Sequence, residues 1–211
     1  MRRATTLLLA LTAATTAIAA PATAADDSAA VRLPITASPE GGTIDLDTAT
    51  VSHFGYDGER AFNSPSVKAT HPKAADPAHW LPVGLIASAR TAAPARDGFV
   101  CTIWVGEVVA DGLRDIKAGT HQTCTGSFRT QWTQAQFASQ KGGWHRITNS
   151  IIGPRTSRQI NDTTFVVSCR ANPRDGRQNY RLEGRGYAIA TNGVEVKGNL
   201  HYGRASRWTC L

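Results

Sequence analysis

Each of the four cysteines, Cys101, Cys124, Cys169 and Cys210, falls on the apolar side of a stretch whose side chains alternate in character. Successive side chains of a strand point to opposite faces, so this alternation marks half-buried β-structure. In "FVCTIWVGEVV" (99–109), Phe99, Cys101, Ile103 and Val105 share one phase. In "TTFVVSC" (163–169), Phe165, Val167 and Cys169 do the same. "TCTGSFRTQW" (123–132) reads as one strand with Cys124, Phe128 and Trp132 turned inward, and Trp208 is in phase with Cys210. Cysteines so placed suit structural bridges, whereas a redox or nucleophilic thiol needs exposure and a lowered pKa. Four cysteines allow three connectivities, of which sequential pairing, Cys101–Cys124 and Cys169–Cys210, is the one expected. No Cys-x-x-Cys pair is present, so neither zinc nor any other metal or cofactor is expected.

The compartment follows from the N-terminus. "MRRATTLLLALTAATTAIAAPATAA" has Arg2 and Arg3, an apolar run from Leu7 to Ala20, and the small-residue series Ala22-Thr23-Ala24. These are the three parts of a secretory signal, assigned to residues 1–24. The expectation is a secreted, extracellular protein whose cysteines meet an oxidising environment. The run is too short for a membrane anchor, and no later segment is apolar for long enough to span a bilayer.

Residues 99–211 read as a disulfide-bonded β-domain. "YAIATNGVEVKG" (187–198) predicts a hairpin about Asn192-Gly193, with Ile189 facing Val196 and Tyr187, Ile189 and Val196 on one face. The one helix candidate is "TQAQFASQ" (133–140). Residues 25–98 hold seven of the ten prolines and are expected to supply edge strands or to stay partly mobile. The predicted fold is all-β: an antiparallel β-sandwich or barrel stabilised by two disulfides, with a Pro-rich N-terminal extension.

Charge is unevenly spread. Residues 25–60 hold seven acids and two bases, whereas residues 141–211 hold twelve bases and four acids. The densest basic stretch, "NPRDGRQNYRLEGRGY" (172–187), carries Arg174, Arg177, Arg181 and Arg185. Pro173, Gly176, Gly184 and Gly186 argue against a helix there. As a strand it places Arg177, Arg181 and Arg185 on one face, opposite Tyr180 and Leu182. A bulge at Gly184–Gly186 is expected to turn Tyr187 inward as well. Readers of single-stranded nucleic acid need aromatics on the same exposed face as the basic groups, and in this register the segment lacks them. The segment reads first as a solvated charged face; the alternative is a site for a polyanion, a cell-wall polymer or an acidic glycan met through these arginines, with nucleic acid bound only non-specifically.

Catalytic motifs are sparse: there is no Gly-x-Ser-x-Gly, no His-Glu-x-x-His and no Gly-rich phosphate loop. Glu107, in phase with Cys101, and His145, between Trp144 and Arg146, are the acid–base candidates of an alternative reading as a small nuclease- or glycosidase-like extracellular hydrolase. The alanine-rich leader, the cysteine-bridged β-domain and the excess of Arg over Lys resemble the small exported proteins of actinobacteria. That resemblance is one of style and carries no site residues with it. The primary reading is a secreted binding or structural module.

Overall fold

The structure, a computed structural model, describes residues 32–39, 44–68, 98–140, 142–168 and 177–209. These form two antiparallel sheets, and no helix occurs among the described residues. The first sheet contains β1 (Ile35–Ser38), β2 (Thr50–Tyr56), β3 (Ala61–Asn63), β4 (Val67–Lys68), β5 (Phe99–Val105), β6 (Val109–Asp111), β7 (Asp115–Gly126) and β11 (Ile160–Ser168). Its order is β1-β11-β7-β5-β2-β3, with β4 also on β2 and β6 on β7. The second contains β8 (Phe128–Gln140), β9 (Trp144–Arg146), β10 (Ile151–Ile152), β12 (Arg177–Ala190), β13 (Glu195–Lys197), β14 (His201–Tyr202) and β15 (Ser206–Thr209). Its order is β10-β8-β12-β13, with β14 and β15 also on β12 and β9 on β8.

The expected alternation is seen along β5, where Phe99, Cys101, Ile103 and Val105 are buried. They meet Phe165 and Val167 of β11 and Phe137 and Leu182 of the second sheet in one core. Cys101 and Cys124 stand directly opposite on β5 and β7 and form a disulfide with Cα atoms 4.0 Å apart. Cys169 and Cys210 lie outside the described residues. Of the Pro-rich segment, β1, β3 and β4 lie at the sheet margins, whereas β2 is an interior strand between β5 and β3.

Several expectations are corrected. Residues 133–140 are strand, because β8 pairs with β12 along nearly its whole length and tertiary pairing overrides the helix preference of Ala and Gln. Residues 123–132 are two strands rather than one. Gly126, at φ +99°, breaks the run before Ser127, so Cys124 faces the core from the first sheet while Trp132 lies on the outer face of the second. The hairpin is one residue out of the expected register: Ala188 faces Val196, and Tyr187 faces Lys197. The turn takes three residues, Thr191 to Gly193, with the Gly193 amide bonded to the Ala190 carbonyl and Gly193 at φ +92°. Ala188 and Val196 therefore enter the core in place of Ile189.

No bulge occurs at Gly184–Gly186, where the pairing with β8 is regular through Ile189. The two glycines answer a different need. A Cβ on Gly184 would lie 2.9 Å from Val105 Cγ2, and one on Gly186 would lie 2.5 Å from Phe54 Cε1. The opposing sheet presses on the β12 backbone at both positions, and only glycine permits that approach. With regular alternation preserved, Tyr187 stays on the same outer face as Arg181 and Arg185.

A second inter-sheet contact is polar. His201 of β14 is buried, with Nδ1 3.2 Å from Ser52 Oγ of β2. Burial lowers the imidazole pKa from 6.5 to about 4, against the opposing pull of backbone bonding at Asn199 and Thr50, and the nearby His53 lowers it further. Between these two values the unfolded chain binds a proton that the native state does not. Stability is therefore expected to fall as pH drops from about 6.5 toward 4, by up to about 3 kcal/mol from this group. Urea unfolding of the native protein and of His201→Gln at pH 7.5 and pH 4.5 checks this. An equal loss in both proteins would assign the acid sensitivity to other groups.

Candidate functional site

The outer face of the second sheet carries the protein's main charge asymmetry. Its strands hold seven basic residues and two acids, whereas the strands of the first sheet hold two and three. Along β12 the outward side chains are Arg177, Asn179, Arg181, Glu183, Arg185, Tyr187 and Ile189. The predicted grouping of Arg177, Arg181 and Arg185 on one face, opposite Tyr180 and Leu182, is what the strand shows. Arg174 lies outside the described residues.

Arg181 is not a free cation. Its Nη2 and Nε donate to Glu183 Oε1 at 2.6 and 3.2 Å. Its guanidinium carbon also lies 4.1 Å from the ring centroid of Trp144 and 3.9 Å from that of Tyr202. Two ring faces and a carboxylate thus hold one guanidinium, an arrangement that favours Arg over Lys. Glu183 is itself buried, and its Oε2 accepts from Gln136 Nε2 at 2.8 Å and Arg146 Nε at 3.2 Å. Burial alone would raise its pKa, but the hydrogen bonds from Arg181, Gln136 and Arg146 outweigh this and hold it below the ordinary value. Glu183 is therefore a fixed anion that orders two arginines, and it is poorly suited to donating a proton.

Six residues further along β12, Tyr187 stacks on Trp132 with centroids 5.1 Å apart and planes 6° from parallel. Arg155 lies over the same indole at 4.1 Å. At strand rise these two assemblies stand about 20 Å apart. Between them is a pocket of about 300 Å³ lined by Gln134, Gln136, Arg146, Ser150, Glu183, Arg185, Tyr187, Lys197 and Leu200. Glu183, Lys197 and the two glutamines are not among the site residues expected from the sequence, and Arg146 enters there only as the neighbour of His145. The grouping of Arg177, Arg181 and Arg185 already implies Glu183 on the same face, and only Tyr187 depends on whether a bulge intervenes.

Glu107 and His145 do not meet. Glu107 lies past the end of β5, where Oε1 accepts from Ser206 Oγ and Oε2 is 3.8 Å from Arg204 Nε. His145 is opposite Ser139, which is opposite Tyr180, which in turn is opposite Ser206. Three strand spacings, about 14 Å, separate His145 from the serine that holds Glu107. A different acid–imidazole pair lies on the outer face of the first sheet, where His121 Nδ1 is 2.6 Å from Asp162 Oδ1 and the ring meets Trp104 edge-on. Among the described residues no group of His, Cys, Asp and Glu has the geometry of a metal site. No protein-family model matches the chain, and no curated protein or solved structure is significantly similar to it.

Arg181→Ala leaves Glu183 buried with only Arg146 and Gln136 as partners, and is expected to destabilise the fold by about 2–3 kcal/mol. Adding Glu183→Gln, which needs no charged partner, should recover part of that loss. Urea unfolding of both variants tests this. A change under about 0.5 kcal/mol for Arg181→Ala would mean that Arg181 is a surface cation like its neighbours.

Proposed function

We propose that the protein is an exported, disulfide-stabilised binding module that holds an anionic polymer on the outer face of its second sheet. The observation that carries this reading is the pocket bordered by Arg146, Arg185 and Lys197, whose one carboxylate, Glu183, is already neutralised from within by Arg181. Arg146 shares Glu183, whereas Arg185 and Lys197 have no acidic partner among the described residues and border the same pocket, where they can engage anionic groups. The alternative as an acid–base hydrolase has weaker support, since Glu107 and His145 lie apart and Glu183 is held ionised.

Contacts of this kind should be salt-sensitive. Changing Arg177, Arg185 and Lys197 together to Ser should lower the salt concentration at which the protein elutes from heparin. It should leave the melting temperature nearly unchanged, because exposed charges contribute little to stability. Changing Arg60, Lys68 and Arg114, which lie outside the second sheet, removes the same charge. Equal shifts for the two triples would reduce the reading to net charge alone.

The proposal includes a second bridge, Cys169–Cys210, which an oxidising extracellular setting would allow. Ser168 is opposite Asp115, and Asp115 is opposite Asp111 at the end of β6. Trp208 Nε1 donates to the carbonyl of Val108, the residue just before β6, at 2.8 Å. The strands that precede the two cysteines therefore run toward the same short strand. Alkylation of the denatured, unreduced secreted protein should add no label by intact mass, whereas two labels per molecule would remove the second bridge.

A further inference from the structure

We infer that the pocket between the two aromatic assemblies takes one acidic sugar unit of a polysaccharide, a ring bearing a carboxylate or sulfate together with free hydroxyls. This rests on the anion-binding reading above and narrows it to a ligand class. Size is the first constraint. A pocket of about 300 Å³ is at the lower end of small-molecule sites and admits a single ring with its substituents.

Hydrogen-bonding character is the second constraint. Arg185, Lys197 and Arg146 only donate, and they suit a carboxylate or sulfate. The floor is different. Gln136 gives its amide nitrogen to Glu183 and keeps its carbonyl oxygen as an acceptor. Gln134 accepts from the Tyr187 hydroxyl through Oε1 and keeps its amide nitrogen as a donor. A surface offering donors and acceptors side by side matches hydroxyl groups, which both donate and accept. A DNA backbone presents acceptors alone, so it would leave the Gln136 carbonyl unmatched and bring phosphate toward Glu183.

The aromatic rings supply the third constraint. Single-stranded nucleic acid is held by bases stacked on open ring faces. Here Trp144 and Tyr202 give a face each to Arg181, and Trp132 lies between Arg155 and Tyr187. Tyr187 shares the basic face, but its contribution at the pocket is a hydroxyl already bonded to Gln134 rather than a bare platform.

The test is isothermal titration calorimetry of the mature protein with four probes: trigalacturonate, its fully methyl-esterified form, a sulfated chondroitin tetrasaccharide, and a thymidine oligonucleotide of matched charge. At least one of the two acidic sugars should bind five times or more tighter than the oligonucleotide. Esterification should remove five-fold or more of the uronate affinity if the uronate is the preferred acid. Gln134→Ala should weaken the preferred sugar at least five-fold while leaving elution from a sulfonate cation-exchange resin, which reads charge and offers no acidic sugar, within experimental error, since it removes no charge. Melting temperature confirms that the variant is folded. If the oligonucleotide binds as well as the sugars, or Gln134→Ala has no effect on them, the pocket reads charge alone. That overturns the sugar assignment and leaves the polyanion reading intact. If heparin retention proves independent of Arg177, Arg185 and Lys197, both fall together.

Discussion

The close approach of the two sheets at Gly184 and Gly186 is the constraint on which the functional face depends. Val105 and Phe54, projecting from the first sheet, fill the space where side chains would stand on β12. With the backbone pinned there, β12 keeps one parity from Arg177 through Ile189. A slip of one residue would exchange every side chain between core and solvent. Arg181, Glu183, Arg185 and Tyr187 would turn inward, and Tyr180 and Leu182 would leave the core. The glycines therefore fix which side chains reach the surface, although they contribute none themselves.

The same parity explains why a charged cluster is tolerated on a half-covered surface. Glu183 loses most of its water, and isolated burial of a carboxylate is strongly unfavourable. Three donors compensate, and two of them are themselves ordered. Arg181 is held between Trp144 and Tyr202, and Gln136 is on the adjacent strand at the register position facing Glu183. Arg181 is thus held inward by Glu183 and two rings, while Arg185 and Lys197 line the pocket. A row of arginines that looks uniform in sequence divides into paired and solvent-facing members once their partners are known.

Much of the architecture was legible from residue alternation. The antiparallel all-β class and the inward phase of Phe99, Cys101, Ile103 and Val105 follow from period-two patterning; the choice of Cys124 as the partner of Cys101 rests on their being opposite each other on β5 and β7. What was not legible depended on contacts across the sandwich. Glycine in a strand signals either a bulge or a close approach of another backbone or side chain, and sequence alone does not separate the two. Choosing the bulge moved Tyr187 to the wrong face, and with it the chemistry of the pocket. The run through Gly126 failed for a related reason. Apolar spacing was continuous across it, but a left-handed glycine divided it between two sheets and put Trp132 on the outer face of the second, where Tyr187 and Arg155 bury it.

The distribution of charge between the sheets gives this geometry a direction. The first sheet is nearly balanced, with Lys117 paired to Asp111 and His121 to Asp162. The second is basic, and its internal pairing with Glu183 absorbs Arg181 and part of Arg146 without neutralising Arg177, Arg185, Lys197 or Arg207. An anionic surface approached by such a molecule exerts a torque as well as an attraction, because the opposite charges attract one face preferentially. The aromatic assemblies then restrict what can settle into the face once it arrives. Trp132 is enclosed by Arg155 and Tyr187, and Trp144 and Tyr202 each give one face to Arg181, so the side chains lining the pocket between the assemblies are mainly polar and charged groups.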